Sequence, residues 1–222
     1  MHLDSRLLIF SKYPVPGEAK TRLIPALGPE GAAQLHRRMT ESVVNIARST
    51  YEASPENRDR VTVHYTGAQL RDFRAWLGPD LQYKAQPSGN LGQRMQNAFQ
   101  TTLEHAADHS IAAIGFGTDV PDLSSAILQQ AHASLGNHDI VLGPAADGGY
   151  YLIGLKSFYP ELFADIDWGT ERVYGQTREI ATHLGLRIAE LPMLSDIDRP
   201  EDLSTLTGDP RFCDIIEKGR KL

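Results

Sequence analysis

The run Leu7-Leu8-Ile9-Phe10-Ser11-Lys12-Tyr13-Pro14-Val15-Pro16-Gly17-Glu18-Ala19-Lys20-Thr21-Arg22-Leu23 decides the architecture. Its first four residues form a short apolar stretch bounded by turn formers, which reads as a buried strand, the first of a parallel sheet. The strand feeds a Pro/Gly loop carrying Lys12, Lys20 and Arg22. Cations and free backbone N–H groups just past a strand's carboxyl end are how open α/β sheets hold phosphates. Gly17 permits a tight loop and close backbone approach to a ligand. Arg22 can grip two phosphate oxygens at once, whereas Lys12 and Lys20 act as point charges. The competing account is a solvated loop with incidental lysines. Three cations in one strand-to-helix connection weigh against it.

Outward from this stretch, strand-like and helix-like segments alternate. Ala32, Leu35, Met39, Val43 and Ile46 recur at helical spacing in a helix that starts near Pro29. Strands are expected at 61–65, 81–85, 111–116, 140–142, 150–153 and 188–191. Helices are expected around Leu70–Leu77, from Leu91, from Leu123 to Leu135, around Val173–Leu184, and as two short pieces after Pro200. This order predicts an α/β fold, a three-layer α/β/α sandwich with a mainly parallel sheet. No internal repeat or long linker interrupts it, so residues 1–222 read as a single domain.

The chain has 22 Lys and Arg against 28 Asp and Glu, a formal charge of −6. That balance argues against a broad nucleic-acid or anionic-membrane surface and makes the cations of the first loop a local feature, suited to a small anionic ligand. Cys213 is the only cysteine, which excludes an internal disulfide and a cysteine-based metal cluster. The N-terminus shows no signal-like pattern and no stretch approaches membrane-spanning length, so a soluble cytoplasmic protein is the simplest expectation. The eight histidines show no paired zinc-binding spacing. Nucleophile-elbow, Walker A and dinucleotide fingerprints are likewise missing, which disfavours an α/β-hydrolase, an ATPase and a Rossmann dehydrogenase.

Three further motifs carry chemistry. Asp119 follows the strand 111–116 and should sit at its carboxyl end, where a carboxylate can hold Mg²⁺ or Mn²⁺. Helix capping is the alternative for Asp119 and Asp122, with Asp122 the better cap. In Asp196-Ile197-Asp198-Arg199-Pro200-Glu201-Asp202, one acid could reach the same ion. Glu201 and Asp202 fit the first turn of a helix, which leaves Asp198 as N-cap or ligand. In Gly143-Pro144-Ala145-Ala146-Asp147-Gly148-Gly149-Tyr150, the glycines allow close backbone approach and Asp147 could bind sugar hydroxyls. A plain hairpin turn competes, because Asp-Gly is a strong hairpin signal. The turn Gly89-Asn90-Leu91-Gly92-Gln93-Arg94 is a weaker signal, in which Asn90 or Arg94 could touch a base or a phosphate.

Together these motifs resemble a family of glycosyltransferase-A-fold proteins, the radical-SAM/selenodomain-associated transferases of the nucleotide-diphospho-sugar transferase superfamily. The matching residues are Phe10-Ser11-Lys12, Pro14, Pro16-Gly17, Lys20-Thr21-Arg22-Leu23, Leu91-Gly92-Gln93-Arg94-Met95 and Asp119-Val120-Pro121-Asp122-Leu123. They continue through Gly143-Pro144, Asp147-Gly148-Gly149-Tyr150-Tyr151-Leu152, Trp168, Asp196-Ile197-Asp198 and Glu201-Asp202-Leu203. Asn90 departs from the pattern, which expects an acid there. The Lys-Thr-Arg-Leu segment is also similar to that of 2-phospho-lactate guanylyltransferase, and molybdenum-cofactor guanylyltransferases belong to the same superfamily. The resemblance implies that Lys20 and Arg22 hold triphosphate, that Asp119 and Asp198 hold Mg²⁺, and that Asp147 and Tyr150 face the acceptor or sugar.

Three functions remain open at this level. One is nucleotidyl transfer from an NTP to a small phosphorylated acceptor, which needs positioning and charge neutralisation but no general base. The second is glycosyl transfer from an NDP-sugar to a small acceptor, with Asp147 as the candidate base. The third is a nucleotide-binding module without catalysis. In the first two, Lys20, Arg22, Asp119 and Asp147 carry the chemistry. Lys12, Gly17, Asn90 and Arg94 complete the nucleotide site, and Gly148, Gly149 and Tyr150 complete the acceptor site. The base, the acceptor and the oligomeric state carry no motif.

Overall fold

The computed structural model describes residues 4–50, 60–104 and 111–219. Among these residues, seven strands form one sheet: β1 (Asp4–Lys12), β2 (Val61–Thr66), β3 (Gln82–Ala85), β4 (Ile111–Phe116), β5 (Ile140–Pro144), β6 (Tyr150–Leu155) and β7 (Ile188–Glu190). Their order is β3-β2-β1-β4-β6-β5-β7. β1 pairs in parallel with β2 and β4, and β6 runs antiparallel to both β4 and β5. The sheet is therefore mainly parallel, as expected, with β6 the reversed strand. Its reversal follows from the Asp-Gly hairpin between β5 and β6, where Ala145 N donates to Gly149 O and Gly148 N to Ala145 O.

Helices cover both faces: α1 (Ile24–Thr50), α2 (Leu70–Leu77), α3 (Leu91–Glu104), α4 (Ser125–Leu135), α5 (Val173–His183) and α6 (Cys213–Gly219). Leu7 and Ile9 point into a core with α1, α2 and α4, whereas Leu8 points into the opposite core with α3 and α5. This two-sided burial is why the opening run is continuously apolar rather than alternating. α1 is interrupted at Gly28, whose φ of 68° breaks the helix, and it resumes at Pro29, the start expected from the sequence. A third cluster joins Leu27, Leu35 and Met39 of α1 to Ile197, Leu203, Leu206, Phe212 and Ile216, tying the segment after β7 onto α1.

Two capping expectations need correction. The N-cap of α4 is Ser124, whose hydroxyl accepts from Ile127 N at 3.4 Å, so Asp122 is not the cap. The helix after β7 is a 3-10 turn, Pro200–Leu206, capped at Arg199, with the Asp202 carboxylate accepting from Asp198 N at 3.0 Å and Arg199 N at 2.7 Å. Asp202 thus supplies the capping carboxylate and leaves the Asp198 side chain free for other partners.

Candidate functional site

The strand ends of β1, β4, β5 and β7 release their loops on one edge of the sheet. The chain leaves β1 toward β2 on one side and has β4 on the other, and a crevice opens outside this switch point. Its first compartment, about 410 Å³, has apolar lining from Phe10, Leu91, Met95, Tyr150 and Trp168. Its polar lining comes from Arg22, Thr118, Asp119, Asp147 and Asp196. A second compartment of about 610 Å³ shares Arg22, Asp147 and Asp196, and continues to Arg172, Asp198 and Arg199.

Asp119 is fixed by the buried strand before it and by its own carbonyl, which accepts from Ile197 N at 2.9 Å. Ile197 is completely buried in the third cluster. Burying the apolar residue of Asp196-Ile197-Asp198 leaves the flanking acids at the crevice. Lys20, buried to 6% side-chain exposure, places its ammonium 3.1 Å from Asp119 Oδ2 and 3.6 Å from Asp198 Oδ1. The Arg22 guanidinium hydrogen-bonds Asp198 Oδ2 from the solvent side. Lys20 and Arg22 of the first loop, Asp119 and Asp198, from three segments distant in sequence, thus meet as two cations on two carboxylates.

His36 of α1 lies beneath this cluster. Its Nε2 donates to the Lys12 carbonyl at 2.9 Å, and its Nδ1 stands 3.7 Å from Asp119 Oδ1, too far for a hydrogen bond. Both Nδ1 and Oδ1 are buried and lack a hydrogen-bond partner among the described residues. Burial alone would raise the Asp119 carboxyl, but the Lys20 charge and the adjacent His36 override it and hold the acid well below the usual carboxylate range. Asp196 goes the other way: its burial, and then the neighbouring Asp147 charge, raise its pKa.

On the opposite wall, Asp147 Oδ1 accepts from Gly149 N at 2.8 Å, shaping the hairpin turn while the residue lines both compartments. Gly148, at φ 87°, lies against Glu171; a Cβ there would come within 2.3 Å of the Glu171 carbonyl oxygen. Its carbonyl accepts from Tyr174 N, so its role is to dock the loop before α5. Gly149 and Tyr150 line the first compartment. Tyr150 meets Trp168 edge-on, with ring centroids 6.3 Å apart, and burial pushes its phenol up. Trp168 in turn packs on Gly92, where a Cβ would approach the indole Nε1 to 2.2 Å.

Five expected nucleotide ligands do not line either compartment: Lys20, held on the two acids, and Lys12, Gly17, Asn90 and Arg94. Lys12 Nζ donates to the Glu18 carbonyl at 3.0 Å, holding its own loop. Gly17 forms an exposed turn at φ 83°. Asn90 caps α3 through Gln93 N at 2.9 Å, and its own N–H is bonded by the Gln93 side chain at 2.9 Å. Arg94 Nε donates to the Gly89 carbonyl at 3.0 Å. The missing acid at position 90 is thereby explained: an amide oxygen caps a helix as well as a carboxylate does. Sequence reasoning missed His36 and Asp196. His36 sits on the apolar face of α1 between Ala32 and Met39, a placement that marks it as buried without revealing its neighbour. Asp196 was passed over for Asp198, since nothing local distinguishes the two acids.

Carboxylate oxygens at Asp119 and Asp198, one of them buried without a partner, suit a hard divalent cation. Among the described residues, no three His, Cys, Asp or Glu side chains gather as a metal site. Two protein ligands fit Mg²⁺, which normally takes one or two carboxylates and completes its shell with water and phosphate.

No helix among the described residues is long and apolar enough to cross a membrane. No curated protein sequence matches the chain. Among solved structures, the fold is similar to that of a protein from Desulfovibrio desulfuricans G20 provisionally assigned as a nucleotide-diphospho-sugar transferase. That match has a TM-score of 0.84 and 33% identity, and covers 99% of this chain and 95% of that one. A cytidylyltransferase from Leptospira borgpetersenii shares the fold at a TM-score of 0.52 and 17% identity, over 99% of this chain and 95% of the other. Glucosyl-3-phosphoglycerate synthase from Mycobacterium tuberculosis, solved with Mn²⁺, UDP and glucosyl-3-phosphoglycerate, shares it at a TM-score of 0.55 and 10% identity, over 91% and 75%. The α/β/α sandwich is thus of the glycosyltransferase-A type. The model of the DUF2064 family, "uncharacterized protein conserved in bacteria", matches residues 49–170, and the chain belongs to that family.

Proposed function

We propose that the chain is a metal-dependent nucleotidyltransferase that moves a nucleotidyl group from an NTP to a small phosphorylated acceptor. The observation that carries this reading is the meeting of Lys20 and Arg22 with Asp119 and Asp198 at the mouth of the crevice. An acceptor phosphate oxygen would attack the α-phosphorus, the bond to the β-phosphate would break, and pyrophosphate would leave. The nucleophile is already anionic, so the chain has only to align the reactants and neutralise charge. Lys20 and Arg22 would hold the phosphates, and Asp147, Gly149 and Tyr150 would face the acceptor. Asp119 and Asp198 would hold Mg²⁺ or Mn²⁺, which when bound would neutralise charge on the phosphate oxygens. The likeness of Lys20-Thr21-Arg22-Leu23 to 2-phospho-lactate guanylyltransferase and the cytidylyltransferase fold support the reading.

The provisional sugar-transferase assignment of the Desulfovibrio protein favours a second reading, glycosyl transfer from an NDP-sugar. Product analysis separates the two. With Mg²⁺, an NTP and a panel of small phosphates and phosphonates, the wild type should release pyrophosphate and Asp119→Ala should not. Release of a nucleoside diphosphate from an NDP-sugar, with no pyrophosphate from any NTP, would establish the second reading instead.

A further inference from the structure

Lys20 stands where a cation held by Asp119 and Asp198 would stand. Its ammonium is 3.1 Å from one carboxylate and 3.6 Å from the other, on a side chain that is 6% exposed. The backbone behind it is in the left-handed region, at φ 49° and ψ 47°. That conformation is costly for a residue with a side chain, and it persists where the surroundings impose it. Lys20 and Arg22 already balance the two acids. A divalent ion on the same carboxylate oxygens would sit against the ammonium, so Lys20 must first release them. A buried ammonium cannot be left without an anionic partner. A polyphosphate bound in the crevice would supply one. Meanwhile Asp119 Oδ1 is buried beside His36 Nδ1, 3.7 Å away, so the oxygen that a cation would need is Oδ2, the one Lys20 holds.

We propose that Lys20 is the resident counter-ion of the Asp119–Asp198 pair and excludes a free divalent cation, so that metal and polyphosphate enter together. As the phosphates take the ammonium, the carboxylates pass to the metal. The inference rests on the assignment of these two acids as cation ligands under the proposed function. It concerns the order of binding, and it makes Lys20 a gate for the metal as well as a phosphate ligand.

Mn²⁺ binding, read by electron paramagnetic resonance on the full chain without nucleotide, tests it. Inorganic tripolyphosphate serves as a base-independent probe. The wild type should bind Mn²⁺ weakly alone and roughly tenfold more tightly with tripolyphosphate, after allowance for Mn²⁺ taken up by free tripolyphosphate. Lys20→Met should bind Mn²⁺ alone roughly tenfold more tightly than the wild type. Lys20→Gln keeps a donor toward the acids and should show the same order if the methionine variant fails to fold. Equal Mn²⁺ affinity in the wild type and the folded variant overturns the gate. Adding Asp119→Asn to the Lys20 variant separates the two levels of the argument. If Mn²⁺ affinity then falls, the ligand assignment stands whatever Lys20 does. If it is unchanged, the ligand assignment fails and the gate with it.

Discussion

At the scale of single residues, Asp119 is the side chain on which the site turns. It receives Lys20 on one oxygen and faces His36 with the other. Asp119→Asn should keep the fold and cost at least about a hundredfold in metal-dependent turnover, read as the initial rate of pyrophosphate release. Its depressed pKa gives a stabilising contribution that is present above about pH 4 and lost as the medium becomes more acid. His64 has a separate pH signature. It is buried on β2 under the stacked ring of Phe10, and burial together with the charge of Lys84 lowers its pKa to about 4. The folded imidazole stays neutral where the unfolded one is protonated. Stability therefore falls as pH drops from about 6.5 to about 4, by about 3 kcal/mol in all. Denaturant melts of the wild type and His64→Leu across that range should show the slope only in the wild type. Charge pairing is the part of the residue scale that the sequence hid. Lys20 reads locally as a phosphate ligand and Asp119 as a metal ligand, and only the folded chain shows the two bonded to each other.

At the scale of elements, the site is built by connections whose precision depends on close backbone contacts. Gly92 at the start of α3 lies flat under Trp168, and Gly148 lies against Glu171. Gly92→Ala should push the indole out of place, shifting tryptophan emission in a Trp76→Phe background while leaving the fold intact. Gly148→Ala meets both the clash and a positive φ, and should destabilise the chain by about 1–3 kcal/mol. Ile197 is the anchor of the acid pair. Ile197→Ala should cost about 2–4 kcal/mol by leaving a cavity, and should weaken nucleotide binding because Asp196 and Asp198 lose their fixed backbone. The strands and main helices were legible in the sequence because two-sided burial and helical spacing are written in residues such as Leu7-Leu8-Ile9 and Leu35, Met39 and Val43. The caps were less so. Ser124 and Asp202 won over Asp122 and Asp198 because capping depends on where a helix starts to within a single residue.

At the scale of the whole molecule, an acidic chain of net charge −6 concentrates buried and exposed cations at one strand-end crevice. That arrangement suits a small polyanion and explains why overall charge alone points away from nucleic acid. The segment after β7 folds back onto α1 through Ile197, Leu206 and Phe212. A ligand bound only by the folded state raises the melting temperature, by an amount that grows with the logarithm of its concentration relative to Kd. The most direct measurement is thermal unfolding with Mg²⁺ in the presence of each of the four NTPs and of common NDP-sugars. Nucleotidyl transfer predicts that one NTP raises the melting temperature and that Arg22→Ala diminishes the rise. A rise with an NDP-sugar and with none of the NTPs would contradict it.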